Sequence, residues 1–242
     1  SPHDCIGSNI FYHVYDNEIV RAVPKENSEI NQTWISDRDR FGYQGIYSED
    51  RCRTPQQRSN GQLREIETQS ILESLNQKIN ENVKEYSPES VGCFISPQST
   101  SEEMYLFQRL SRALGVNNID HRTNEQDFAY QDSYPVMPSL GTNLNNLHEF
   151  DNIILIGTNI KTEFPILTVR FNDAVKKNTN IYSYHFINMP EDFDVKKNFV
   201  MNNSDLLSVF QDHSLESCRG KKNLVIIGPN ITYFYNQSLF LQ

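Results

Sequence analysis

From Leu63 onward, the sequence alternates between stretches with helical periodicity and short apolar runs, which limits the possible folds more than any other feature. Apolar residues recur every four positions from Ile71 to Val83, as on one buried face of a helix. The apolar runs at 91–95, 151–156, 181–187 and 224–227 have the length of strands. We therefore predict an α/β fold with a doubly wound, mostly parallel sheet and helices on both of its faces.

Capping signals mark a second predicted helix. Thr100 and Glu103 form a T-x-x-E capping box ahead of a helix that ends at Gly115. A third helix is predicted over 164–175 and a shorter one over 204–211. The stretch 120–141 carries prolines at two positions and is predicted to be irregular.

Residues 1–60 lack helical periodicity and are predicted to form a small β-rich module. Strands at 10–15 and 19–23 are joined at Asp16-Asn17, which is a favourable hairpin turn. The polar segment 51–61 is interpreted as a linker out of this module. The sequence thus predicts two domains, 1–60 and 61–242.

Charge and hydropathy exclude two classes of partner. The net charge of −9 argues against nucleic acid, because binding to phosphates needs a basic face. No apolar run approaches the roughly 20 residues of a membrane span, so direct membrane insertion is not expected. Because Ser1 begins in the middle of what reads as a structured motif, we expect the chain to be a piece of a longer protein.

The ends of the predicted strands are the natural place for a ligand. In parallel sheets, ligands bind at the carboxyl ends of strands, which here are 96–100, 157–162, 188–191 and 228–230. The segment 157–159, Gly-Thr-Asn, could hold a phosphate, but a single glycine is not a G-x-G-x-x-G motif.

Three stretches of motif carry a family resemblance. Taken in order, they are Gly7-Ser8-Asn9-Ile10 with Trp34-Ile35-Ser36-Asp37-Arg38, Ser96-Pro97 with Asn118-Ile119-Asp120-His121-Arg122, and Leu155-Ile156-Gly157-Thr158-Asn159. Together they resemble the large iron–sulfur subunit (the G subunit) of respiratory NADH–quinone oxidoreductase (complex I), within the molybdopterin oxidoreductase superfamily.

The resemblance implies a frame for cluster ligands in the first module. In that superfamily the module often holds a [4Fe–4S] cluster on the pattern C-x2-C-x3-C-x27-C. Aligning Gly7-Ser8-Asn9-Ile10 with its third cysteine places Ser1, Asp4, Ser8 and Ser36 at the four ligand positions. These are hard oxygen donors, whereas iron–sulfur clusters need thiolates, so we expect no cluster, metal, cofactor or catalytic residue here.

The resemblance also implies a context for the chain. The parent subunit is expected to carry [2Fe–2S] and [4Fe–4S] clusters upstream. Its partners would be that upstream part of the same chain and other hydrophilic-arm subunits of complex I. It would lie peripherally on the cytoplasmic side of the inner membrane, or on the matrix side in mitochondria. The present segment would then be a structural and interaction scaffold.

An alternative is a fragment of a molybdopterin-dependent oxidoreductase that binds a guanine dinucleotide cofactor. Asp127, Asp132 and Ser133 lie where such enzymes place a metal ligand. However, the segment 188–191, Asn-Met-Pro-Glu, lacks the arginine that would pair with a phosphate.

Several side chains have both a chemical and a structural interpretation. His121 beside Asp120 could act as an acid–base residue, but a hydrogen-bonding role is favoured. Trp34, Phe41 and Tyr43 could relay electrons, but packing in the core or at an interface of the small module is favoured. His3 and Asp4 are predicted to be exposed to solvent, since two adjacent donors do not make a metal site.

Overall fold

The N-terminal hairpin forms as predicted. In the computed structural model, which describes residues 1–122, 129, 132, 139–201 and 206–233, strand β1 (Ile10–Tyr15) pairs antiparallel with β2 (Glu18–Pro24). Asp16 and Asn17 have φ values of 49° and 61°, the left-handed pair that a type I′ turn requires. A short helix, α1 (Asp37–Phe41), and a 3-10 turn (Gly42–Tyr47) follow.

Residues 45–124 form a compact unit of their own. It contains the hairpin β3 (Gln56–Ser59) and β4 (Gln62–Glu65), and the helices α2 (Thr68–Glu85) and α3 (Ser101–Ala113). Strand β5 (Gly92–Phe94) pairs in parallel with β6 (Asn118–Asp120). The second compact unit joins 1–44 to 125–242.

Interpreting 51–61 as a linker is wrong, because most of it belongs to the β3–β4 hairpin. The turn residues Asn60 and Gly61 have φ values of 52° and 82°. Asn-Gly is the strongest short-range signal for such a turn, so the sequence did carry the information.

The helices of the 45–124 unit bury less than their periodicity predicts. No residue of α2 is buried, and Leu75 and Leu110 are 54% and 60% exposed. The capping box of Thr100 and Glu103 is present as predicted. The described sheets of this unit, β3–β4 and β5–β6, have two strands each and offer the helices little apolar surface to cover.

In the part of the chain that the structure describes, the main sheet has four strands, all of them parallel. Its strands are β7 (Asn152–Ile156), β8 (Asn180–His185), β9 (Lys197–Val200) and β10 (Asn223–Ile227), in the spatial order β10-β7-β8-β9. The direction of winding reverses between β10 and β7. That reversal is the topological switch point of a doubly wound sheet.

The central strands β7 and β8 are covered on both faces, which explains why they are apolar without alternation, whereas the edge strands β9 and β10 expose alternate residues. One face packs on the helix α5 (Pro165–Lys176), where Ile153, Leu155 and Ile181 meet Leu167 and Phe171. The other face packs under irregular segments and 3-10 turns through the residues Ile154, Ile156, Tyr182, Tyr184, Met201, Val209, Cys218 and Ile231. The predicted α/β fold with a parallel sheet is confirmed.

Two further sequence predictions concern segments that the structure describes only in part. The predicted helix over 204–211 is a 3-10 helix in its described part, Leu206–Gln211. Most of the stretch 120–141, including Asp127 and Ser133, lies outside the described residues. In the described part of the chain, no helix is both long enough and apolar enough to cross a membrane.

Candidate functional site

Two of the frame positions meet on one buried carboxylate. Ser36 is the N-cap of α1, and its hydroxyl accepts a hydrogen bond of 3.2 Å from the Asp39 backbone N–H. The same hydroxyl lies 3.0 Å from Asp39 Oδ2, while the Ser1 hydroxyl donates to Asp39 Oδ1. Asp39 is only 1% exposed, so hydroxyl groups from two distant segments take the place of water around it.

The segment 1–8 folds back on itself and brings the other two positions close. Ser1 N lies 2.6 Å from the carbonyl oxygen of Ser8, and the His3 backbone N–H donates to Ser1 Oγ at 3.0 Å. Asp4 Oδ1 accepts from the Ile6 backbone N–H at 3.0 Å. The four positions inferred from the motif spacing are therefore neighbours in the fold.

Asp4 and Ser8 each keep one buried oxygen without a hydrogen-bond partner among the described residues, Asp4 Oδ2 and Ser8 Oγ. Burial, together with the nearby Asp39 carboxylate, raises the pKa of Asp4. The prediction that His3 and Asp4 are exposed is wrong, because both are half-buried and the His3 imidazole packs against Gly42.

These residues do not fit a [4Fe–4S] cluster. Serine and aspartate oxygens are hard donors, and a carboxylate already binds two of the four frame hydroxyl and carboxyl groups. Cys5 is exposed and lies one position off the frame. Among the described residues there is also no group of three or more His, Cys, Asp or Glu side chains arranged to hold a metal ion.

Asp39 is the residue of this site that the sequence analysis missed. It lies outside the ligand frame, and only ligand positions were considered. Ser36 and Asp39 are nevertheless spaced as in a capping box, S-x-x-D, and that local signal could have indicated a contact between them.

The switch point of the sheet is filled by side chains of the protein itself. Thr158, which is 1% exposed, donates to Glu163 Oε2 at 2.6 Å, and Asn230 Nδ2 donates to Glu163 Oε1 at 3.2 Å. Asn159 caps the helix α4 (Ile160–Glu163) by accepting from the Thr162 N–H at 3.0 Å. The segment 157–159 thus holds a carboxylate where a phosphate would otherwise lie.

Backbone contacts close the same point. The Gly228 N–H donates to the carbonyl of Ile156 at 2.9 Å, and the Asn230 N–H donates to the carbonyl of Gly157 at 3.1 Å. A Cβ at Gly228 would lie 2.5 Å from the Gly157 carbonyl oxygen, and a Cβ at Gly157 would lie 2.8 Å from Ile231 Cγ1. Both glycines are therefore needed for close packing and not for an open cradle.

A buried polar cluster at the end of β8 was also missed. Ser183 Oγ lies 2.7 Å from His185 Nε2 and donates to Glu191 Oε1 at 3.1 Å, and the same Glu191 oxygen lies 3.1 Å from His185 Nε2. Hydroxyl and carboxylate meet the same ring nitrogen, whereas a nucleophilic triad needs them on opposite nitrogens. This group of polar side chains instead stabilises the contact of the segment 188–191 with β8.

The structural or hydrogen-bonding role favoured for His121 stays a prediction, because the hydrogen bonds of this segment centre on Asp120. Asp120 Oδ1 accepts from Arg122 Nε at 2.9 Å and from the backbone N–H groups of His121 and Arg122 at 2.7 and 3.1 Å. The Arg122 guanidinium, with these amides, holds the pKa of Asp120 far below its ordinary value. The His121 ring lies 3.9 Å from that carboxylate and is exposed.

Trp34 and Phe41 are 57% and 54% exposed, so the prediction that they pack in the core of the module is wrong. Packing of these two rings at an interface remains a prediction.

Comparison with protein-family models decides the relationship. Residues 51–232 match the model described as molybdopterin oxidoreductase. The chain belongs to the molybdopterin oxidoreductase family. Residues 2–44 match a second model, described as NADH-ubiquinone oxidoreductase NDSU1/NuoG-like, 4Fe-4S domain. The frame of Ser1, Asp4, Ser8 and Ser36 lies almost wholly inside that second match.

Relatives within the family confirm the resemblance to the large iron–sulfur subunit. The G subunit of NADH-quinone oxidoreductase from Rickettsia felis is 30% identical over 174 residues, which are 72% of this chain and 25% of that protein. The NADH-ubiquinone oxidoreductase 75 kDa subunit of Reclinomonas americana is 28% identical over 253 residues, with 94% of this chain and 34% of that protein covered. The chain thus spans about a quarter of the first of these relatives and about a third of the second.

Two further comparisons involve proteins with other names. The F420-dependent formate dehydrogenase 1 subunit alpha of Methanococcus maripaludis is 27% identical over 184 residues, 74% of this chain and 27% of that protein. The solved structure of acetylene hydratase from Pelobacter acetylenicus superposes with a TM-score of 0.53 at 15% identity, over 76% of this chain and 26% of the other. At that identity the likeness shows the fold alone.

Proposed function

We propose that this chain is a cluster-free scaffold segment of the large iron–sulfur subunit of an NADH–quinone oxidoreductase. The observation that carries the proposal is the first module, which matches a 4Fe-4S domain yet has oxygen donors at all four ligand positions. A cluster needs thiolates, so the module would keep the shape of a cluster domain without carrying electrons.

The contacts of this module with the sheet domain support a scaffold role. Arg170 on α5, only 7% exposed, donates to the carbonyl of Ser28 at 2.7 Å and to that of Ile30 at 2.9 and 3.2 Å. Arg38 Nη2 donates to the carbonyl of Glu163 at 2.9 Å. These contacts all lie within one compact unit and fix the module to the helices beside the main sheet.

In the parent protein, electrons would pass through [2Fe–2S] and [4Fe–4S] clusters upstream of this segment. The segment would support that part of the chain and contact other hydrophilic-arm subunits of complex I. Its place would be peripheral, on the cytoplasmic or matrix side of the inner membrane. The names of the relatives support this setting, because they are subunits of NADH–quinone and NADH–ubiquinone oxidoreductases.

The side chains at the switch point of the sheet do not favour the alternative function, a fragment of a molybdopterin enzyme that binds a guanine dinucleotide. Glu163 lies at the strand ends where a pyrophosphate would bind, and its carboxylate would repel the phosphates. The segment 188–191 supplies no arginine to offset that charge.

Metal and sulfide analysis tests the proposal directly. The chain is purified without oxygen, and its iron, acid-labile sulfide, molybdenum and visible absorption are measured. We expect a colourless protein with none of the three bound in proportion to the chain. Iron and sulfide at about four per chain would contradict the scaffold proposal, and bound molybdenum or pterin would favour the alternative.

The matched control is Cys5→Ser. Cys5 is exposed and next to the frame, so it can bind iron adventitiously. Trace iron that disappears in Cys5→Ser leaves the proposal intact. Stoichiometric iron and sulfide that remain in that variant would refute it.

A further inference from the structure

Asp39 is a buried carboxylate whose partners come from both ends of the ligand frame. The Ser1 hydroxyl binds one of its oxygens, and the Ser36 hydroxyl lies 3.0 Å from the other. A carboxylate that is 1% exposed is strongly destabilising unless hydrogen bonds replace its hydration. The two hydroxyl groups supply those hydrogen bonds, so Ser1 and Ser36 hold Asp39 in its buried position.

The same contacts join two distant segments of the chain. Ser1 lies in the segment that precedes β1, and Ser36 caps α1 after the hairpin. In the family frame, three ligand positions fall in the first segment and the fourth falls at the helix. A bound cluster would therefore link the two segments that the Asp39 carboxylate links here.

We propose that Asp39 replaces an iron–sulfur cluster as the cross-link of this module, and that its carboxylate excludes a cluster from the same frame. The inference rests on the proposed cluster-free scaffold and adds the residue that makes a cluster unnecessary. The carboxylate lies between the first and fourth ligand positions, where a cluster would have to fit.

Electrostatics reinforce the exclusion. A cluster held by four thiolates is itself anionic, and a second negative charge in a poorly hydrated site repels it. Thiolates at the frame positions would compete with Asp39 for the same place.

Hydrogen exchange tests the cross-link. Asp39→Asn keeps the size of the side chain and removes its charge, while Asp37→Asn changes an exposed aspartate in the same helix and serves as the control. We expect amides of 1–9 and 36–42 to exchange about 10-fold faster or more in Asp39→Asn, and amides of 223–227 to keep their protection. Equal protection of 1–9 in the two variants would overturn the proposal.

A double-mutant cycle keeps the test decisive if Asp39→Asn disturbs folding. Ser1→Ala removes one hydroxyl partner and should accelerate exchange in 36–42 in the presence of Asp39. The same substitution should have little further effect in the Asp39→Asn background, because the two changes remove one interaction. Additive effects would show that Ser1 and Asp39 act independently and would refute the cross-link.

Restoring thiolates tests the exclusion. Ser1, Asp4, Ser8 and Ser36 are all replaced by Cys, with and without Asp39→Ala, and both chains are incubated anaerobically with ferrous iron and sulfide. We expect about four iron and four sulfide per chain only when Asp39 is also replaced. Full loading with Asp39 present, or no loading in either chain, would refute the proposed exclusion.

The outcomes separate this inference from the proposed function. Iron and sulfide in the natural chain would refute the cluster-free scaffold whatever Asp39 does. A metal-free natural chain in which Asp39→Asn behaves like Asp37→Asn would leave the scaffold standing and would refute only the cross-link.

Discussion

We expect the hydrogen bonds of Arg170 to stabilise the packing of the N-terminal module against the main sheet domain. Replacing it with methionine keeps a long apolar side chain but removes all three hydrogen bonds to the carbonyls of Ser28 and Ile30. Such bonds from a charged donor contribute about 1.5–3 kcal/mol each when their partners stay dry. Ser28 is exposed, so water can replace part of the loss, and about 3 kcal/mol is expected overall.

The single tryptophan of the chain provides the assay. Trp34 belongs to the module, and its backbone N–H donates to the carbonyl of Asn31 at 2.9 Å. Its fluorescence should therefore follow unfolding of the module, while far-ultraviolet circular dichroism follows the whole chain. In Arg170→Met, the fluorescence midpoint in urea should fall by about 1 M or more, given a slope of about 1–3 kcal/mol per molar.

Lys176→Met is the control, because Lys176 is an exposed basic residue in the last turn of the same helix. It should leave both midpoints where they are in the natural chain. If Arg170→Met and Lys176→Met give the same fluorescence midpoint, the guanidinium does not hold the module and the reasoning fails.

Three further substitutions follow from close contacts in the structure. Gly228→Ala should destabilise the fold by about 2 kcal/mol, because the added Cβ would lie 2.5 Å from the Gly157 carbonyl oxygen. Gly92→Ala is the control, because a Cβ there would meet open space. Equal melting temperatures of the two variants would contradict this prediction. Asn31→Leu should lower the free energy of unfolding by about 2–4 kcal/mol, measured in urea. The reason is that the carbonyls of Asn9, Lys25 and Trp34, which now accept from Asn31 Nδ2 at 3.4, 3.2 and 3.0 Å, would lose this donor. An unshifted urea midpoint would contradict the prediction. Burial of the Asp212 carboxylate by itself would raise its pKa. Hydrogen bonds from Lys197, at 2.5 Å, and from Ser214 and Tyr184 outweigh that effect and hold the pKa of Asp212 well below 3.8. Because the pKa of Asp212 is lower in the folded chain than in the unfolded chain, its carboxylate stabilises the fold at pH values above the ordinary pKa of aspartate, and this contribution disappears as the pH falls. Lys197→Met should therefore destabilise the fold more at about pH 7 than at about pH 3. A difference in stability that does not change with pH would contradict this assignment.

Local signals made much of the fold predictable. The Asp16-Asn17 turn and the Thr100–Glu103 capping box are each specified by residues within a few positions, and both form. Strands buried on both faces form apolar runs in the sequence, so β7 and β8 could be placed to within a residue or two at their starts, and the apolar edge strand β10 equally well. The fold class follows from the alternation alone.

Features that depend on long-range contacts could not be predicted in the same way. Periodicity marks Leu75 and Leu110 as apolar face residues, but it does not show whether a partner surface exists for them. The frame positions were identified from motif spacing, and the structure brings them together. The residue between them, Asp39, acts through a partner 38 positions away and has only a local capping pattern to indicate it.

The strand order has a consequence for how the chain is made. Asn152 of β7 pairs with Asn223 of β10, which is synthesised 71 residues later. Until that strand emerges from the ribosome, one edge of β7 remains unpaired, and all five of its residues are ones that the finished fold buries. A nascent chain that stalls before β10 would therefore offer this edge to chaperones or to other unfinished chains.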